Sequence, residues 1–313
     1  AMGAGFRILL LRSVEWAATG KVTIPPPAIL PATQAAMAAA DIDVDATCSA
    51  VARYQYGGER KPLHALQQLV LYAGSLGSDD VREFRRGLAD RMESLLTSKD
   101  ATSAAKAFVC GQLAAIGTEK QAPVLASLLA DKELAQPALD PLAQIPGPAV
   151  DRILRDALGT LKGNLKIGAV NALGQRRDRA ATESLIAMLS GADEASACAA
   201  AGALGKIGSD AAVAELQKAL ASAKGRLRTE GAHACLACAE QMLAEKKGGL
   251  AAALYAQLSG PGETQQVRMA ALRGAVLSSP EKAGSAVCQA LTGGDPALEN
   301  MAIQLVPEIP GSA

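Results

Sequence analysis

Apolar positions along this chain fall three and four residues apart, the spacing that gathers them on one face of a helix. Residues 194–220 show the pattern most cleanly. Ala197, Ala201 and Leu204 share one face, and Val213, Leu216 and Leu220 share another. Gly205 and Gly208 lie between them and are expected to break the helix, because glycine readily takes the left-handed conformation that ends one. Asp193 stands where an N-cap belongs, and Ser209 or Asp210 can cap the second helix. Two short helices of this kind cannot bury their apolar faces alone, so the pair must stack on copies of itself.

Copies are present. The last leucine of each second helix forms a ruler at Leu129, Leu158, Leu189, Leu220, Leu258 and Leu291, in steps of 29, 31, 31, 38 and 33 residues. First helices align through Leu113, Leu142, Leu173 and Leu204. Breaks are expected at Gly117, Pro146-Gly147, Arg176-Arg177-Asp178 and Gly208. The long step follows from a longer first helix over 227–244. Residues 266–277 and 281–291 form a further pair, and 296–305 a last first helix that Pro307 and Pro310 end. Before the ruler, helices are predicted over 45–56, 62–73 and 79–97, the last with Arg82, Arg85, Arg86 and Arg91 on its polar face. At the N-terminal end, residues 5–20 read as a helix. Pro25-Pro26-Pro27 makes 21–44 an extended linker with one short helical piece at 33–40. The expected domains are therefore 1–20, 21–44 and a repeat solenoid over 45–313.

Composition narrows the function. Lys+Arg and Asp+Glu are both 31, so the formal net charge is zero and gives no footprint for nucleic acid or an anionic membrane. Aromatic residues are only 3%, too few for a sheet-based enzyme core but suited to close helix packing. No apolar run is long enough to cross a membrane, so no membrane insertion is expected. Ala1-Met2-Gly3 reads as a cloning remnant, which places the natural N-terminus outside this sequence and leaves the compartment open.

Leu204-Gly205-Lys206-Ile207-Gly208, Leu113-Ala114-Ala115-Ile116-Gly117 and Val267-Arg268-Met269-Ala270-Ala271-Leu272 resemble HEAT repeats, in particular the thirty-residue kind named after phycobilisome lyases. The likeness covers residues 45–306. It implies an all-α, right-handed α-solenoid, an α-α superhelix that binds other proteins along its surface. The family's Asp…Arg ladder looks thin here, with Cys198 in the place that Arg268 holds in its own repeat. A shorter stretch, Phe6 through Ala18, is similar to the closing helix of ThuA-like domains, which are linked to sugar metabolism. That likeness implies a larger multidomain bacterial protein, in the cytoplasm or periplasm.

Candidate chemistry is sparse. His233, Cys235 and Cys238 are the one metal-like cluster, but two cysteines a helical turn apart with the histidine pointing elsewhere leave a zinc ion short of ligands. All six cysteines are expected to be reduced and structural. With His64 and His233 as its two histidines, and without Gly-x-Ser-x-Gly, the chain offers no nucleophile and base pair. Arg176, Arg177 and Arg179, then Lys224, Arg226 and Arg228, cluster in turns and could line one docking edge. The expected function is a non-catalytic protein-interaction scaffold without cofactor, metal or catalytic residues. Its partner would be another protein or a neighbouring domain of the same chain, and nucleic acid is disfavoured. The rival readings are an accessory region of a sugar-active ThuA-like enzyme and a HEAT-like lyase or DNA glycosylase.

Overall fold

The computed structural model describes residues 42–75 and 79–309. The helix expected over 5–20, with its ThuA-like resemblance, the proline linker and the piece at 33–40 lie outside the described residues. Within them the chain forms sixteen α-helices and three single turns of 3-10 helix, and no strand. The fold is an α-solenoid of helical hairpins, built as two compact units, one up to Pro146 and one from Gly147.

The first unit holds α1 (Val44–Ala52), α2 (Lys61–Gly74), α3 (Asp79–Thr97), α4 (Ser103–Ile116), α5 (Ala122–Leu128) and α6 (Ala135–Gln144). Helix α2 starts on Pro62, whose missing N–H costs nothing in a first turn, and buries Leu63, Leu66, Leu69, Val70 and Ala73. Helix α3 buries Val81, Leu88, Met92, Leu95 and Leu96 against it. Each leucine so buried contributes about 1.5–3 kcal/mol relative to exposure. The arginines of α3 knit the unit together. Arg85 donates to the Ile116 and Ala115 carbonyls at the end of α4, and Arg91 pairs with Asp45 at 2.6 Å. Buried Gln121 accepts from Thr118 and donates to Asp90 and Glu93, so a polar side chain inside this unit is satisfied on both ends.

The second unit runs through α7 (Pro148–Ala157), α8 (Gly163–Gln175), α9 (Thr182–Leu189), α10 (Glu194–Ile207), α11 (Asp210–Ser222) and α12 (Gly225–Ala244). It continues with α13 (Gly248–Leu258), α14 (Gln265–Ser278), α15 (Pro280–Thr292) and α16 (Pro296–Leu305). Helices α8, α10, α12, α14 and α16 form one row, each packed on the next, while α9, α11, α13 and α15 form the second row. The ruler leucines Leu158, Leu189, Leu220 and Leu258 are buried; Leu291 is exposed.

Three expectations are corrected here. Gly208 does end α10 in the left-handed conformation, at φ 61°, but Gly205 lies buried inside that helix and turns nothing. A Cβ on Gly205 would sit 2.8 Å from the Cα of Ala234 on α12, so its role is close helix approach. Counting from the caps, Arg268 is the fourth residue after Thr264, and the fourth after Asp193 is Ala197, not Cys198. The acid–base ladder is also denser than the sequence suggested. Arg228 pairs with Glu263 at 2.6 Å, Arg268 with Asp295 at 2.7 Å, Arg155 with Asp178, and Arg176 with Asp151.

Candidate functional site

The row of first helices is not uniform. Where α8, α10 and α12 meet, small residues let backbones touch: a Cβ on Gly174 would lie 2.7 Å from the Ala203 Cα, as Gly205 does against Ala234. The Cys238 thiol donates to the Gly205 carbonyl at 3.6 Å across the same seam. Between α12 and α14 the pattern changes. Tyr255 of α13 pushes its ring against Gly274 of α14, in space that a Cβ on that glycine would fill. Tyr255 is 2% exposed and is among the largest fully buried side chains.

The aromatic wedge forms the base of a groove of 410 Å³ over α12, α14 and α16. Leu243, Met269, Leu277 and Met301 supply its apolar walls. Leu277 is 42% exposed and stands beside the half-buried methionines of the groove. Methionine is unbranched and polarizable, and adapts to the shape of what it meets. Arg273, Glu240 and Gln266 bring opposite charges and an amide to the rim. Burial, with a smaller contribution from Glu240, lifts the Tyr255 phenol to about 12, so it stays a neutral hydroxyl at physiological pH. Sequence reasoning did not single out Tyr255, Met269 or Met301. The available signal was one aromatic in an alanine-rich helix paired with a glycine nineteen positions later.

The six basic residues proposed as a docking edge are not brought together. Arg176, Arg177 and Arg179 follow the C-terminal end of α8, whereas Lys224, Arg226 and Arg228 stand at the start of α12. First-row helices run parallel, so the two groups occupy opposite edges. The Glu245 carboxyl at the far end of α12, held low first by Lys247 and Gln241, also feels Arg179. Arg226 instead lies by Cys198, near the start of α10, whose thiol burial raises. Two of the six are structural. Arg176 is 12% exposed, bonded to Asp151 and to the Gly147 carbonyl. Arg228 bonds Glu263 and the Leu220 carbonyl. Arg177, Arg179, Lys224 and Arg226 remain exposed.

Cysteine chemistry is muted by burial. It pushes the thiols of Cys110 and Cys238 up to about 12 and that of Cys235 to about 11, far from the thiolate that reacts or binds metal. All six cysteines are free, and Cys288 is the exposed one. His233 faces solvent beside the two buried thiols. Among the described residues no three His, Cys, Asp or Glu side chains gather as a metal site would need, and no helix is long and apolar enough to cross a membrane.

A family model for HEAT repeats matches residues 150–237. Among solved structures the chain is similar to an engineered protein at 20% identity, over 86% of this chain and 78% of that one, with a TM-score of 0.44. A second engineered protein matches at 20% identity over 87% and 98%, with a TM-score of 0.27. Human deoxyhypusine hydroxylase in complex with glycerol matches at 15% identity over 66% and 98%, with a TM-score of 0.31. No curated protein matches. The described chain is an α-solenoid of helical hairpins, of which residues 150–237 match HEAT repeats.

Proposed function

We propose that this chain is a non-catalytic interaction scaffold, and that its groove over α12, α14 and α16 receives another protein or a neighbouring domain of the same chain. The observation that carries this reading is the apolar wall of exposed Leu277 with half-buried Met269 and Met301 above the Tyr255 wedge. Such a wall, rimmed by Arg273 and Glu240, has the apolar centre and charged border of a protein interface. The exposed residues Arg177 and Arg179 on one edge, and Lys224 and Arg226 on the other, would then steer approach more than supply affinity.

The test compares capture of partners from an extract of the source cell by the wild-type chain and by two variants. Leu277→Asp places a charge in the groove wall at an already exposed site. Arg226→Glu changes an edge. The reading expects a discrete partner recovered by wild type and by Arg226→Glu but lost with Leu277→Asp. Equal recovery by Leu277→Asp would remove the groove from the account, and loss with Arg226→Glu alone would move docking to that edge.

A further inference from the structure

The turns that follow α8, α10 and α12 meet along one edge of the second unit. Thr182 Oγ1, at the start of α9, stands 3.5 Å from Ser209 Oγ in the turn after α10. A Cβ on Gly208 in that turn would lie 2.5 Å from Gln241 Oε1 of α12, and Gln241 donates to Glu245 at the end of α12. The Lys247 ammonium, whose pKa is raised first by its Glu245 partner, also feels Asp210 and Arg179, one group from each of the other two turns.

Two of these turns are made against local preference. Gly208 leaves α10 at φ 61°, a region that glycine enters without a Cβ penalty. Arg177 and Lys246 leave α8 and α12 at φ 52° and 61°, and are the non-glycine residues with positive φ among the described residues. Both turns close with the same pair of backbone bonds. Arg177 and Asp178 donate to the Gly174 and Leu173 carbonyls, and Lys246 and Lys247 to those of Leu243 and Met242. Glycine would make either turn with less strain. A strained residue that persists points to a use for its side chain. The helix dipole does not supply that use, because a cation meets it from inside the last turn, as Lys206 does in α10.

The shared property is exposed positive charge. Arg177, Arg179, Lys206 and Lys246 are exposed, and none forms an ion pair among the described residues. Their neighbours are already matched: Arg176 with Asp151, Asp178 with Arg155, and Lys247 with Glu245 at 2.7 Å. Glu183 and Asp210, in the first turns of α9 and α11, are the exposed carboxylates left on the edge.

We infer that this edge binds an extended acidic segment of a partner protein, its carboxylates taken by Arg177, Arg179, Lys206 and Lys246. Binding here needs nothing from the Tyr255 groove. Neighbouring helices pack about 8–10 Å apart, so three of them span about 16–20 Å, the reach of roughly five or six extended residues. A peptide can set neutral residues opposite Glu183 and Asp210, whereas a nucleic-acid backbone carries a phosphate at every step. These turns also hold no aromatic side chain on which a base could stack.

The experiment follows the fluorescence anisotropy of labelled octaglutamate with the whole chain. Expected is saturable binding that weakens about tenfold or more between about 50 and about 300 mM NaCl. Arg177→Gly with Lys246→Gly should weaken it about fivefold or more and raise the urea midpoint, since charge is lost and strain relieved. Arg179→Gln with Lys206→Gln, which leaves both strained turns as they are, should weaken it similarly. Lys224→Gln with Arg226→Gln on the opposite edge should leave it unchanged, as should Leu277→Asp in the groove. Unsaturable binding, equal loss from the two edges, or unchanged binding in both variants of this edge would overturn the inference. A lower urea midpoint in the glycine variant would overturn it too, by making both residues structural. Equal affinity for octathymidylate would overturn the assignment to a protein segment in favour of any polyanion.

Discussion

The seam joining α8, α10 and α12 and the junction joining α12 to α14 are made from the same repeat, yet they solve packing in opposite ways. At the seam, Gly174 and Gly205 bring backbone against Ala203 and Ala234, and no bulky side chain stands between the helices at those points. At the junction, Gly274 stands ten residues past its cap, where Ala203 and Ala234 stand in their helices, and faces the ring of Tyr255 rather than a neighbouring backbone. One bulky side chain from the second row turns a closed contact into a groove with apolar walls. A repeat protein can thus acquire a binding surface by changing what fills one junction, without changing the helices.

The most severe way to break the contrast is to remove the wedge. Tyr255→Ala should lower stability by about 3–5 kcal/mol, the range for deleting a buried ring, while Tyr255→Phe should cost far less because packing is kept. Urea denaturation measures both. Next comes the ion pair that spans the widened junction. Glu263 is 4% exposed at its side chain and takes the Arg228 guanidinium, so Glu263→Gln should cost about 2 kcal/mol in the same assay.

The glycines allow a sharper comparison. Gly205→Ala and Gly274→Ala should each destabilise by roughly 1–3 kcal/mol, against a helix-propensity gain of about 1 kcal/mol. Their rescue should differ. Gly274→Ala meets a side chain, so it should be tolerated once Tyr255→Ala has removed the ring. Gly205→Ala meets the Cα and carbonyl oxygen of Ala234 as well as its Cβ, so Ala234→Gly should not restore it. Double-mutant cycles read both couplings. Equal rescue at the two places would erase the distinction.

The mildest prediction concerns cysteine. Raised pKa means less thiolate at a given pH, so at pH 8 iodoacetamide should label exposed Cys288 quickly and leave Cys110, Cys235 and Cys238 unmodified until the chain unfolds. Mass spectrometry of the labelled chain counts the sites. Early labelling of Cys235 or Cys238 would mean the seam opens locally.

Much of the architecture was legible because it rests on local pattern. Helix α3 falls on residues 79–97 and α16 on 296–305, as the apolar spacing predicts, and the long first helix after Leu220 is α12. Breaks at Gly117, Pro146-Gly147 and Gly208 follow from backbone chemistry that the residues themselves state. The candidate site was less legible because it depends on register between repeats. Arg176 looked free in a basic turn, yet its partner Asp151 lies twenty-five positions earlier. Gly205 looked like a helix breaker, and only the nearness of Ala234 shows it to be a contact. Tyr255 drew no attention, since the sequence does not say that its ring meets Gly274 of the next helix.

The central claim, that widening at α12 and α14 makes a docking surface, is tested most directly by site-specific photo-crosslinking in an extract of the source cell. A photoreactive residue replaces Met269 in the groove in one sample and Arg226 on the edge in another. The account predicts a discrete crosslinked adduct from position 269, lost when Leu277→Asp is added, and no such adduct from position 226. An adduct from position 226 with none from 269 would contradict it.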